Sequence, residues 1–430
     1  MNQQAQGTAR SSPTVVLSLL LLAYIFNFLD RQILGILAGP IKADLNLSDT
    51  EFGAIGGLAF AILYSVLGVP LAMLADRTSR SGVVAAALAV WSGFTALCGL
   101  ATSFWQLFLF RLGVGVGEAG GVAPSYALLA DYFPPERRAR ALAIFSLGIP
   151  IGLATGTLLG AYIATWVDWR AAFIFMGVVG ILLAPVLRYF VRDVPKPAPG
   201  LADAAPLSEV FGLLARKPTF WLLAFGASAS SLCGYGLAIW TPSIFIRSFG
   251  LDLISTGQFI GSLLLIGGTA GVLAGGLLAD RLGTKDRRWY AWLPAIAWLI
   301  TAPTWVLGLL APSLWIAWPI LLIPNALNIL WLGPVATAIQ HLAPRHQRAT
   351  ASACFLMINN LIGLGVGPLL IGGLSDALTK SYGIEALRYA AVACTGFYLV
   401  AALLMLLAAN RLRHDWVEDV PEGAAKLNPS

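Results

Sequence analysis

The run LSLLLLAYIFNFLDRQILGILAG at 17–39 is apolar almost throughout, yet Asp30 and Arg31 stand side by side within it. A helix needs about 20 apolar residues to cross a bilayer. A charge inside such a span costs from ~2.5 to more than ~10 kcal/mol unless it is partnered or wetted. Glu118 repeats the pattern inside another apolar run, with Arg111 seven positions before it. In a chain with many spans, the default reading of such groups is a substrate or proton pathway. The chain reads as a transporter.

Composition widens that reading to the whole molecule. Apolar residues make up 58% of the 430 positions and charged residues 11%, against roughly 25% charged in soluble domains. The fold class is therefore an all-α polytopic membrane protein. Twelve spans are predicted, at 14–37, 51–75, 82–102, 105–131, 140–166, 170–191, 218–246, 256–279, 289–311, 314–340, 349–377 and 384–409. They imply a tail at 1–13, a six-helix half at 14–191, a linker at 192–217, a second half at 218–409 and a tail at 410–430. The connections are too short for a soluble catalytic domain. The first span has no small-residue cleavage site and reads as a retained helix.

Twelve spans place both termini on one side. Most basic residues fall there, among them Arg77, Arg80, Arg137, Arg138, Arg140, Arg216, Lys217, Arg281, Lys285, Arg345, Arg348 and Arg411. Only Lys42, Arg170, Arg247, Lys380 and Arg388 fall opposite. Basic loops mark the cytoplasmic side, so both termini are expected in the cytoplasm. The formal charge of +6 then reflects orientation and gives no argument for nucleic-acid binding. Cys98, Cys233, Cys354 and Cys394 form no C-x-x-C pair and read as packing residues, while His341, His346 and His414 sit at the cytoplasmic edge. No metal or cofactor is expected.

The chain also repeats itself. Asp76-Arg77-Thr78-Ser79-Arg80 follows the second span, and Asp280-Arg281-Leu282-Gly283-Thr284-Lys285 follows the eighth, an offset of 204. Pro134-x-x-x-Arg138-Ala139 and Pro344-x-x-x-Arg348-Ala349 form a second pair, offset 210. Parallel six-helix halves are a known transporter architecture. With Arg111-x-x-x-Gly115-x-Gly117, these loops resemble the signatures of the major facilitator superfamily. The resemblance implies a gating role for Asp76, Arg77, Arg80, Arg138, Asp280, Arg281, Lys285 and Arg348, as a latch at the cytoplasmic face in one state. The alternative is that they only anchor the span ends.

Helical rise places the buried charges. Asp30 lies roughly 24 Å above the start of its span and Arg111 roughly 9 Å below the outer end of an antiparallel one, so the two are nearly level. Glu118 lies two turns deeper, about 10 Å, on the face of Arg111. An Asp30–Arg111 ion pair is expected, with Glu118 near the midplane and no basic neighbour of its own. Poor solvation there favours the protonated acid, which would let Glu118 carry a proton while Asp30 stays ionised. Arg31 and Arg111 offer forked donors for phosphate or carboxylate. A static salt-bridge cluster is the alternative.

The second half lacks counterparts: Gly234 falls at the place of Asp30 and Asn328 at that of Glu118. Its candidate substrate contacts are Tyr235, Asn325, Asn328, Trp331, Asn359 and Asn360, for which helix–helix hydrogen bonding is an equal alternative. Gly115 and Gly117 belong to a G-x-G-x-x-G string in mid-span, where a dinucleotide site has no strand to build on. With Gly148, Pro150, Gly152, Gly367 and Pro368 they read as close-packing or hinge positions.

Three segments narrow the family: Asn27-Phe28-Leu29-Asp30-Arg31, Arg111 to Ala119, and Ile149-Pro150-Ile151-Gly152. With Asp131-Tyr132-Phe133 and Asp168-Trp169-Arg170 they resemble the Spinster group of lipid transporters, although Ser79 stands where glycine is usual. That resemblance implies proton-linked transport of a lysolipid or a sphingosine-1-phosphate-like anion, powered by a proton gradient without a cofactor. It makes Glu118 and Asp30 coupling residues and Arg31 and Arg111 headgroup contacts. Proton-coupled symporters of small organic anions are the rival reading. An ATP-driven pump would need a phosphate-binding loop, and no G-x-x-x-x-G-K-[ST] string occurs. The expected partners are membrane lipids and an amphiphilic anion, with a monomer in a bacterial inner membrane.

Overall fold

The computed structural model describes residues 11–194, 207–283, 285–344 and 347–417. Among them every regular element is helical. Ten apolar helices are α1 Pro13–Ile36, α2 Asp49–Arg77, α3 Arg80–Cys98, α4 Phe104–Tyr132, α5 Glu136–Trp166, α6 Trp169–Phe190, α7 Pro218–Phe249, α8 Leu253–Gly275, α9 Trp289–Leu309 and α10 Leu314–Gln340. The eleventh apolar stretch, Arg348–Asp415, covers 68 residues. A straight helix of that length would reach about 100 Å, more than three bilayer cores. The chain instead turns back at Gly383, whose φ of 54° is left-handed, and continues through a short 3-10 turn, Gly383–Glu385. The result is two packed crossings, α11 (348–382) and α12 (386–415). With that last stretch divided in two, the described residues make twelve crossings, as the hydrophobic pattern predicts. In the linker a short helix occupies Leu207–Ala215.

Helices α1–α6 and α7–α12 form two halves. The seams between them run along α2 with α11, α5 with α8, and α1 with α7. The first two seams are related by a shift of six helices, so the sequence repeat reappears as a two-fold arrangement. Lipid tails give apolar helices no reason to associate, so close approach decides the packing. A Cβ on Gly152 would come within 2.5 Å of the Ile25 carbonyl, and one on Gly156 within 2.5 Å of the Leu29 carbonyl. These two glycines seat α5 against α1 at the level of Asp30. Gly148 meets the Tyr24 ring, and Gly115 and Gly117 face the backbones of Phe60 and Trp91. Gly367 abuts the Leu232 carbonyl of α7, and the Pro368 carbonyl accepts from Trp240 Nε1 at 2.8 Å.

Several crossings are broken in mid-membrane. In α4 the break follows Glu118, at Gly120 and Gly121; in α10 it spans 328–331, the same place in the other half. Helix α5 is interrupted at Leu147, three residues before Pro150, where the missing proline N–H leaves a carbonyl unserved. Helix α11 widens into a π-helical turn, Asn360–Val366. Discontinuous helices at the junction of two repeats are where transporters build their sites.

Candidate substrate and proton site

Arg31 and Glu118 form one ion pair, and Asp30 and Arg111 form another. Arg31 Nε donates to Glu118 Oε2 at 2.7 Å, and its Nη2 lies 2.7 Å from the same oxygen. This corrects the expectation that Glu118 has no basic neighbour. Helical side chains lean toward the helix N-terminus. On α1 that direction leads from Arg31 toward the deeper level of Glu118. Backbone levels alone did not include this reach. Arg111 leans the other way on antiparallel α4, and its Nη1 donates to Asp30 Oδ2 at 3.0 Å, the pair expected from the levels. Thr95 Oγ1 donates to Asp30 Oδ1 at 2.6 Å.

The two pairs differ in access. Asp30 lies away from the cavity at 3% exposure, and Arg111, although it borders the cavity, is only 1% exposed. Glu118 is fully covered, but the Arg31 side chain keeps 13% exposure. Its guanidinium lies 5.1, 4.8 and 4.8 Å from the ring centres of Phe28, Phe60 and Tyr64, an aromatic collar that holds a cation. Glu118 Oε1 has no hydrogen-bond partner among the described residues.

Arg31 opens into a cavity of about 200 Å³ between the halves. The first half lines it with Phe28, Arg31, Gln32, Phe60, Arg111, Ile149 and Leu153, and the second with Ser231, Gly234, Tyr235, Ile239, Trp305, Asn325, Asn328 and Trp331. The wall is largely apolar and aromatic, with cationic groups from one half and amides from the other. Four of the candidate second-half contacts therefore reach the cavity. Asn359 and Asn360 do not line it, and Asn359 Oδ1 accepts from Ser231 Oγ at 2.9 Å, a bond between α7 and α11.

The predicted gating residues lie on the face that carries the termini. Arg80 bridges Asp76 at 2.6 Å and Asp131 at 2.5 Å, and Arg138 Nη2 donates to the Ala130 carbonyl at 2.8 Å, all within the first half. Arg77, Arg281 and Lys285 are exposed, and Arg348 opens α11 half-buried. The Asp280 side chain and residues Arg345 and His346 lie outside the described residues. On the opposite face the halves are fastened together. Asp49, at the start of α2, receives both Arg247 Nη atoms at 2.8 Å, Ser375 Oγ at 2.6 Å and Lys42 Nζ. Asp376 of α11 in turn accepts the Asp49 and Thr50 backbone N–H groups at 3.1 and 2.7 Å.

Sequence reasoning missed this fastening, because a charge at a helix end reads as solvated. It also missed Thr95, Phe60, Tyr64 and Trp305, which look like ordinary span residues. In the second half, the repeat offsets to Gly234 and Asn328 and the polar and aromatic residues Tyr235, Asn325 and Trp331 did point at the cavity.

The comparisons with known proteins agree with this architecture. A bacterial homologue of the human lysosomal transporter Spinster, solved in an inward-facing, unoccupied conformation, superposes with a TM-score of 0.83 at 29% identity, covering 95% of this chain and 99% of that one. An MFS-type efflux pump of Mycolicibacterium smegmatis is 37% identical over 396 residues, 91% of this chain and 92% of the relative. Protein spinster homolog 1 of Xenopus tropicalis is 26% identical over 92% of this chain and 81% of its own length. The family model of the Major Facilitator Superfamily matches residues 20–368. Twelve crossings in two related halves, a cavity at their junction and these matches together establish that this multi-pass membrane protein belongs to the Major Facilitator Superfamily.

Proposed function

We propose that the protein is a proton-coupled transporter of an amphiphilic anion, of lysolipid or sphingosine-1-phosphate type, working by alternating access. The observation that carries this reading is the Arg31–Glu118 ion pair, whose arginine borders a largely apolar, aromatic cavity. A substrate anion and Glu118 compete for one guanidinium. When the anion takes Arg31, the carboxylate is left in a water-poor place without its counter-charge, and a proton neutralises it. Anion binding and proton binding therefore favour each other, which is the linkage a symporter needs. The apolar wall suits an acyl chain, and the aromatic collar keeps Arg31 ordered between cycles. The likeness to Spinster homologues is in keeping with the sequence resemblance that implies a lipid substrate.

In this reading both termini face the cytoplasm of a bacterial inner membrane, and the monomer is the working unit. Asp76, Arg80, Asp280 and their partners fasten the termini face when the opposite face opens.

The test is uptake of labelled lysophosphatidate into proteoliposomes under an imposed pH gradient, wild type beside Glu118→Gln. Gradient-driven uptake in the wild type is expected to vanish in the variant, while exchange of substrate at equal pH persists. Folded protein that moves no lysolipid would shift the assignment to small organic anions. Gradient-driven uptake undiminished in Glu118→Gln would remove Glu118 from the coupling role.

A further inference from the structure

Outside the cavity between the halves, the surface where α7 begins and α12 ends is grooved. The groove has a volume of about 560 Å³ and is walled by Ala215 at the end of the linker helix, by Arg216, Trp221 and Phe225, and by Leu407 and Arg411. Phe225 and Leu407 are 44% and 46% exposed on apolar, membrane-spanning helices, so this wall meets acyl chains. Leu404 lines it deeper in the membrane. From Arg411 back to Leu404 is seven residues, about 10 Å along α12, and from Pro218 to Phe225 is the same distance along antiparallel α7. The two walls therefore share one profile, cationic at the rim and apolar below.

Arg216 and Arg411 are exposed, and neither side chain makes an ion pair or a hydrogen bond among the described residues. Their basic neighbours are already engaged. Lys217 Nζ donates to the Leu342 and Asp415 carbonyls at 2.8 and 3.1 Å, and Arg413 pairs with Asp286. No carboxylate lines the groove among the described residues. The Asp415 carboxylate, one turn beyond Arg411, accepts from Thr219 Oγ1 instead. Trp221 donates its ring N–H to the Ala215 carbonyl at 2.9 Å and stacks on Phe225, which leaves the ring as an apolar wall.

We propose that this groove binds one anionic phospholipid from the leaflet at the termini face, with its phosphate between Arg216 and Arg411 and an acyl chain along Phe225, Leu404 and Leu407. Basic pockets between membrane helices take anionic headgroups in this way, because the charge attracts the phosphate while the chain stays in hydrocarbon. The lipid is a resident of the bilayer, separate from the cavity, so the inference stands without the transport reading above. Because Ala215 belongs to the same wall, the bound lipid also braces the linker helix against the second half.

The experiment is native mass spectrometry of the full chain in detergent, titrated with dioleoylphosphatidylglycerol or with zwitterionic dioleoylphosphatidylethanolamine. The wild type is expected to retain one phosphatidylglycerol more tightly than phosphatidylethanolamine. Arg216→Gln with Arg411→Gln should weaken phosphatidylglycerol at least about fivefold, the worth of one basic residue beside an anionic lipid, and leave phosphatidylethanolamine unchanged. Arg188→Gln with Arg192→Gln removes the same charge from exposed positions on the same face and should change neither. Leu407→Trp, which fills the groove and keeps both arginines, should also weaken phosphatidylglycerol, with melting temperatures confirming that all variants fold. Equal weakening by both arginine pairs, or no preference over phosphatidylethanolamine in the wild type, would reduce the site to general surface charge and overturn it. Full binding in Leu407→Trp, or displacement by glycerol phosphate as effective as by phosphatidylglycerol, would mean a phosphate patch without a lipid groove and would also overturn it.

Discussion

Asp30 and Glu118 are both buried carboxylates with arginine partners, but their surroundings give them different work. The Asp30–Arg111 pair is closed off and further tied by Thr95. Removing one partner of such a pair strands the other charge, at a cost of about 3–5 kcal/mol. Asp30→Asn is therefore expected to lower thermal stability strongly, and Asp30→Asn with Arg111→Gln to recover part of the loss. Glu118→Gln should cost less, because Arg31 keeps contact with the cavity and with three aromatic rings. Thermal unfolding of the four proteins in nanodiscs checks this, and equal losses in Asp30→Asn and Glu118→Gln would contradict the difference in access. The chemistry of these residues was legible in the sequence, since a charge in an apolar span needs a partner. Which arginine meets which acid was only half legible, because side-chain lean lies outside a count of backbone rise.

At the scale of elements, α5 depends on its small-residue face. Gly156 meets the Leu29 backbone next to Asp30, where a side chain has no flexible neighbour to displace. Gly156→Leu is expected to push α5 off α1 and to lower both the melting temperature and the yield of folded protein, whereas a change at Gly93, which has open space around it, should do neither. The loop after α8 has a different anchor. Asp286 accepts from the Arg288 backbone N–H and pairs with Arg413 of α12 at 2.5 Å and with Arg288 at 3.0 Å. That N–H, with the two guanidinia, holds the Asp286 carboxyl below the usual carboxylate range. A lowered folded-state pKa stabilises above the unfolded value, about 3.9, and is lost as pH falls through the folded one. The melting-temperature gap between wild type and Asp286→Asn should thus be steady from pH 5 to 7 and shrink only below about pH 4. A gap that is largest in acid would contradict a lowered Asp286 pKa.

For the whole molecule, the decisive contact is the polar cluster around Asp49 on the face opposite the termini. It joins α2 of one half to α7 and α11 of the other through Arg247, Ser375 and Asp376. Breaking it is expected to favour opening on that face. Arg247→Gln, with spin labels at exposed Thr102 and Pro312, should shift the distance distribution to longer values than in the otherwise native protein. An unchanged distribution would mean that helix packing alone keeps this face shut. The sequence by itself determined the class, the twelve crossings, the two related halves and the presence of charged residues inside the apolar spans. Each of these follows from local rules: apolar run length, repeated loop motifs and the cost of charge in lipid. Tertiary structure alone decided the Arg31–Glu118 pairing, the Tyr398 bond that holds Asn328 in the cavity wall, and the face on which the halves are fastened. Those contacts join residues tens to hundreds of positions apart, and they depend on how far helices approach and where side chains lean, which no periodicity along one chain records.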